Sequence, residues 1–205
     1  MAIALPLWIY WAFCLVATGL LLSNRMLSQS LLSPMASISR QGYFPTMLIS
    51  WFVTLATAAI YILFTVKQVE GNYEVPDLLI FSGLNGTLEQ CMFVLWFLVG
   101  CFVGQRLFPK SPWAIFGSGY ISYVLYSGLI HPLFWFPVLP QHDPFWPMVF
   151  ILPVMSIFWM WLYWRYQALL EIIAMHIVID WLTVGHLHFP WFEPFQLASV
   201  VPSMS

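Results

Sequence analysis

Six times along this chain about twenty residues pass with scarcely a charge among them, the length a helix needs to cross a bilayer. The stretches lie at about 3–22, 44–66, 85–108, 113–131, 145–163 and 168–184, the third with an alternative start near Leu78. Lipid offers no partner to a backbone N–H or C=O, so each crossing segment must bond its own, as a helix does. The polar segments between them, at about 23–41, 67–77 and 139–143, are expected as loops. Only 7% of the residues are charged, where a soluble domain carries about a quarter. The expectation is an all-α polytopic membrane helix bundle of about six transmembrane helices, one membrane domain over residues 1–205 with lipid around it. No basic run offers a surface to nucleic acid.

The first apolar stretch has no basic segment before it and exceeds a signal core in length, so it is expected to be a retained helix. Cys14, Cys91 and Cys101 fall inside apolar stretches without CxxC spacing, which suits small apolar filler rather than a disulfide or zinc framework. Basic residues set the sidedness. Arg25, Arg40, Arg106, Lys110 and Arg165 follow the first, third and fifth stretches. Only Lys67, diluted by Glu70, Glu74 and Asp77, lies on the other side. The richer side is expected to be cytoplasmic, with both termini of this multi-pass integral membrane protein on the opposite side. The segment HLHFPWFEPF at 186–195 is expected in the interface, where Trp and Tyr rings sit at headgroup level.

Against this background LLEIIAMHIVIDWL stands out, because it sets Glu171, His176 and Asp180 among leucines and isoleucines. A charge at bilayer depth costs about 2.5–3.5 kcal/mol on insertion scales, so such groups need partners. His176 and Asp180, four residues apart, share a helix face. Asp180 is expected about one turn inside the non-cytoplasmic end of helix six, with His176 a turn deeper. Glu89 is expected about one turn into helix three from that same side, and His131 at the end of helix four. Four groups from three helices thus fall in one half of the bilayer. Two histidines and two carboxylates suit Zn²⁺, and a carboxylate beside a bound water could act as its general base.

The same residues resemble the CPBP family of intramembrane metalloproteases, which includes type II CAAX prenyl endopeptidases and bacteriocin-immunity proteins. The family's E-E-x-x-F-R is matched by EQCMFV at 89–94, where Glu89 and Phe93 agree and Gln90 and Val94 depart. Its F-x-x-x-H is matched by the His131 of SGLIH, with Ser127 at the Phe position and Tyr126 just before it. Its H-x-x-x-N/D is matched in full by HIVID at 176–180. Upstream, FWMWLYWRYQALLEIIAMH is similar to the family's GWLYxRTGSLWxAIxxH run, best at Tyr163, Arg165 and the gap to His176. The resemblance covers about 87–182, with helices one and two outside it. It implies that Glu89 activates a water and that His131, His176 and Asp180 bind that water or a metal, zinc among the candidates. It also implies a membrane-associated protein as substrate. The departures at Gln90 and Val94 favour an alternative, a non-catalytic scaffold or accessory subunit of a larger membrane protein complex, in contact with lipids or hydrophobic pigments.

Plainer roles stand beside these. His131 could be an interfacial histidine, His176 an interhelical hydrogen-bonder, and Asp180 a protonated packing residue. Glu89 could cap helix three after LNGT. Glu171 is expected to pair with Arg165, Arg106 or Lys110, while His142, His186 and His188 are expected as exposed loop histidines. Twelve Trp and eighteen Phe suit interfacial anchors and packing. A tetrapyrrole on His131 or His176 is a third class of ligand. FGSGY at 116–120 weakly resembles a rhomboid serine motif, but Ser118 is expected far from His176, whereas such a serine needs a histidine within about 3 Å. Neither H-E-x-x-H nor G-x-G-D occurs.

Overall fold

The computed structural model describes residues 5–24, 40–67, 74–135 and 147–197. The described residues form an all-α bundle without strands, built on six long helices. They are α1 (Leu5–Ser23), α2 (Tyr43–Phe64), α3 (Val75–Leu107), α4 (Pro112–Ile130), α5 (Met148–Tyr166) and α6 (Leu169–His188). A π-helical turn, His131–Trp135, follows α4, and a 3₁₀ turn, Pro190–Phe195, follows α6. Five of the six, all but α4, are long and apolar enough to cross a membrane. The α4 helix has the same length as α1 but spreads Ser118, Ser122 and Ser127, three glycines and three tyrosines along it. Large apolar side chains such as Phe13, Phe52, Phe150 and Leu170 stand exposed on the outside, a surface suited to lipid.

Two boundaries differ from expectation, each for a local reason. The α3 helix starts at Val75, where Pro76 in the first turn lacks the N–H that would go unused there and Asp77 faces the positive end of the helix dipole. LNGT therefore lies inside a 33-residue helix of about 50 Å, and Glu89 sits about four turns in rather than capping an end. The α6 helix continues to His188, so His186 and His188 are helical and not loop residues. His186 is fully buried, with its Nε2–H donating to Thr65 O at 2.9 Å. His142 and the expected loop at 139–143 lie outside the described residues, as does most of 23–41.

The helices alternate in direction. Gly100 of α3 lies against the backbone of Ser118 and Gly119 of α4, and Gly104 against the Ser118 side chain and Ile115 Cα, so the two helices run antiparallel at close range. Against α6, α3 is also antiparallel, Asn85 meeting Asp180 and Gln90 meeting His176. The α2 helix packs on α5 and α6. Its Thr54 hydroxyl donates to Ser50 O and accepts the Trp159 indole N–H at 2.8 Å, so a polar group in an apolar helix is fully used. Glu171, expected beside a basic residue, accepts the hydroxyl of Tyr43, which reaches it from the start of α2. The three cysteines are buried and free. The alternation puts Arg40, Arg106, Lys110 and Arg165 at one end of the bundle and the Lys67–Glu193 pair, 3.4 Å apart, at the other.

Candidate functional site

In the half of the bundle that holds the start of α3, a largely apolar cavity of about 180 Å³ opens between α3, α4, α5 and α6. Glu89, His131, His176 and Asp180 all line it, together with Asn85 and Trp135. Phe93, Tyr123, Leu152 and Trp159 supply apolar wall. The four residues expected to meet do share one chamber, though not as four equal partners.

Three of them form a tight set. Glu89 Oε2 lies 3.5 Å from His176 Nε2, and Asp180 Oδ1 lies 3.7 Å from that same nitrogen. The imidazole of His176 stacks on Phe93, with ring centroids 5.7 Å apart and planes 8° apart, and leans on Trp159 at 5.6 Å. Its Nδ1 contacts Gln90 Oε1 at 3.0 Å. Two aromatic walls and one amide thus leave the ring little freedom, and Nε2 is the nitrogen that faces both carboxylates.

The Glu89 carboxylate is 3% exposed and heavily solvated by protein. Oε1 accepts the Tyr10 hydroxyl at 2.6 Å and the Trp135 indole N–H at 3.0 Å, while Oε2 accepts Asn85 Nδ2 at 2.9 Å. Hydrogen bonds to a charged group contribute about 1.5–3 kcal/mol each, and three of them offset an insertion cost of about 3 kcal/mol. Asn85 Nδ2 also donates to Asp180 Oδ2 at 2.9 Å, so a single amide joins the two carboxylates. Three protein donors thus satisfy the Glu89 carboxylate at membrane depth.

His131 stands apart. It caps α4 where Pro132, having no N–H, interrupts the helical ladder and the chain widens into the π-helical turn. Its Nδ1 meets Ser127 O at 2.7 Å. A carbonyl only accepts, so Nδ1 carries the proton and Nε2 keeps the lone pair. His131 lines the cavity without a hydrogen bond to the other three.

Zinc ligation needs donors at about 2.0–2.2 Å around one point. Among the described residues no three His, Cys, Asp or Glu groups gather in that way. Lone pairs of both Glu89 oxygens and of Asp180 Oδ2 are engaged by Tyr10, Trp135 and Asn85. The residues present fit a hydrogen-bonded carboxylate network and do not form a three-ligand zinc centre.

Four contributors were not anticipated from the sequence: Tyr10, Trp11, Asn85 and Trp135. Asn85 had a visible signal, standing four residues before Glu89 on the same helix face within an apolar stretch. The aromatic residues had none, because Tyr and Trp in a membrane helix read as interfacial anchors. Ser118, set aside on sequence grounds, donates to Ala114 O at 2.8 Å, packs against Gly104 and does not line the cavity. Comparison of the chain with family profiles, with curated proteins and with solved structures gave no match.

Proposed function

We propose that this chain is a membrane-embedded hydrolase that cleaves a peptide bond of a membrane-associated protein with a water activated by Glu89, on the plan of the CPBP family it resembles. One observation carries the reading: Glu89, His131, His176 and Asp180, from three helices and far apart in sequence, line a single cavity. The wall around them is apolar and suits a substrate segment that arrives from lipid. In the proposed reaction Glu89 Oε2 takes a proton from water as the oxygen attacks the substrate carbonyl carbon. The C–N bond then breaks, and the proton held by Glu89 passes to the departing amine. His131 Nε2, left as an acceptor by its Nδ1 contact, receives a hydrogen of the water, and a protonated His176 Nε2 donates to the carbonyl oxygen. Asp180 holds His176 in place. The basic end of the bundle is assigned to the cytoplasm by charge, which opens the cavity in the opposite half of the bilayer.

The test is cleavage of quenched-fluorophore membrane peptides by the purified chain in detergent or liposomes. Glu89→Gln keeps the shape of the side chain and removes the base, so cleavage should disappear. A Glu89→Gln protein that cleaves at the unchanged rate would sink the reading.

A second reading has its own observation. Val94, where the resembled pattern has Arg, is 0% exposed in the apolar core, and Gln90, where it has Glu, is equally buried and neutral. These positions favour a non-catalytic scaffold or accessory subunit of a larger membrane complex. That reading expects stable co-purification with a partner from native membranes and no change in it on His176→Ala.

A further inference from the structure

We infer that α1 is part of the site: Tyr10 and Trp11 are positioning residues that hold the Glu89 carboxylate and the Asn85 amide so that Glu89 Oε2 is the oxygen turned to the cavity. The functional consequence rests on the hydrolase reading above; the geometry does not. Tyr10 and Trp11 are consecutive and buried, yet neither is among the described residues that line the cavity. They reach α3 one helical turn apart, at Glu89 and Asn85 respectively.

The Tyr10 hydroxyl donates to Glu89 Oε1 at 2.6 Å from behind the cavity, and Trp135 donates to that same oxygen at 3.0 Å. An oxygen that already holds two donors is poorly placed to take a proton. Oε2 has one such donor, Asn85, and lies beside His176. The two oxygens of one carboxylate are therefore unequal, and Tyr10 contributes much of the difference.

Trp11 settles the amide. Its indole N–H can only donate, and it meets Asn85 Oδ1 at 3.0 Å. The atom on the far side is then necessarily Nδ2, whose two hydrogens point at Glu89 Oε2 and Asp180 Oδ2. A reversed amide would set an oxygen 2.9 Å from two carboxylate oxygens and leave the indole facing an N–H. The register of α1 is kept by packing, Tyr10 lying against Phe134 and Trp135 and Trp11 against Phe81.

The experiment uses the full chain in detergent with Tyr10→Phe, Trp11→Phe and, on the exposed face of α1, Phe13→Leu. Tyr10→Phe removes one oxygen and keeps the ring, so packing survives; Trp11→Phe tests the amide independently. Infrared spectra of ¹³C-glutamate-labelled protein, differenced against Glu89→Gln, isolate the Glu89 carboxylate band. That band should shift in Tyr10→Phe and in Trp11→Phe and stay put in Phe13→Leu. Turnover should fall by about 10- to 100-fold at constant KM in the first two, the scale typical of groups that orient a reacting residue. An unmoved Glu89 band in both variants overturns the inference whatever the turnover. A band that shifts in Tyr10→Phe and Trp11→Phe, with no cleavage by the wild-type chain, upholds the role of α1 and removes the hydrolase reading instead.

Discussion

Gly86 lies directly on the backbone of Ile177: a Cβ at Gly86 would stand 2.6 Å from the Ile177 nitrogen. This contact sits between the two halves of the site, because Gly86 follows Asn85 on α3 and Ile177 follows His176 on α6. The short distances from Glu89 and Asn85 to His176 and Asp180 depend on it. Gly86→Ala should push α3 and α6 apart, cost about 1–3 kcal/mol in stability and lower cleavage as the carboxylates leave His176. Gly83, one turn away, has nothing within 4 Å of the corresponding position, so Gly83→Ala should leave both intact. Thermal unfolding in detergent and a cleavage assay on the pair would check this, and equal behaviour of the two variants would refute the close approach.

Asn85 offers a sharper electrostatic test. Its amide donates to both carboxylates. Asn85→Asp keeps the volume, and its Oδ1 can still accept from Trp11. The second oxygen then faces Glu89 and Asp180, and three acids share one apolar chamber. Repulsion and lost donation should cost about 3 kcal/mol near neutral pH, relieved in acid as the new carboxyl takes up a proton. Relative to the parent chain, the stability of Asn85→Asp should therefore fall as pH rises from acid to neutral and stay at the lower level above that. Parallel curves would contradict the bridge.

These contacts show how far the sequence could be read. Helices announce themselves through apolar length, so all six were legible, and the meeting of His176 with Asp180 followed from their spacing alone. Glu89 was legible as a buried acid. Its depth was misjudged, since Asn85, Gly86 and Thr87 look like a break yet all lie inside the helix, where Asn85 serves as a donor and Gly86 as a contact surface. The role of α1 was not legible. A hydrogen bond from Tyr10 to a residue 79 positions later leaves no periodic trace, and the phenol resembles every other interfacial tyrosine. Nor was the burial of His186, because HLHFPWFEPF carries the look of a surface segment while the helix continues into its first three residues.

That burial has its own consequence. His186 ties α6 to the end of α2 through Thr65 O, and Thr65 is itself 2% exposed. His186→Phe fills the volume but strands the carbonyl, which should cost about 1–3 kcal/mol. His186 does not line the cavity, so cleavage at low temperature should persist while the thermal midpoint drops. A loss of cleavage without a change in midpoint would place His186 in the chemistry instead.

Sidedness can be settled with single cysteines, because the native ones are buried and slow to react. Lys110 is exposed at the basic end of the bundle, and Glu193 is exposed at the other. The alternation of helix directions keeps these positions on opposite faces whichever way the protein inserts. With the basic end in the cytoplasm, a membrane-impermeant maleimide added to intact cells should label Glu193→Cys and spare Lys110→Cys, and inverted vesicles should reverse the result. The cavity lies in the half that contains the start of α3, the half nearer Glu193, so the same measurement fixes the side on which the cavity lies and, under the proposed hydrolase reading, the side from which a substrate would come. Labelling of Lys110→Cys from outside would turn the bundle over and bring the Glu89 cavity to the cytoplasmic side, leaving the geometry of the site unchanged and its supply of substrates entirely different.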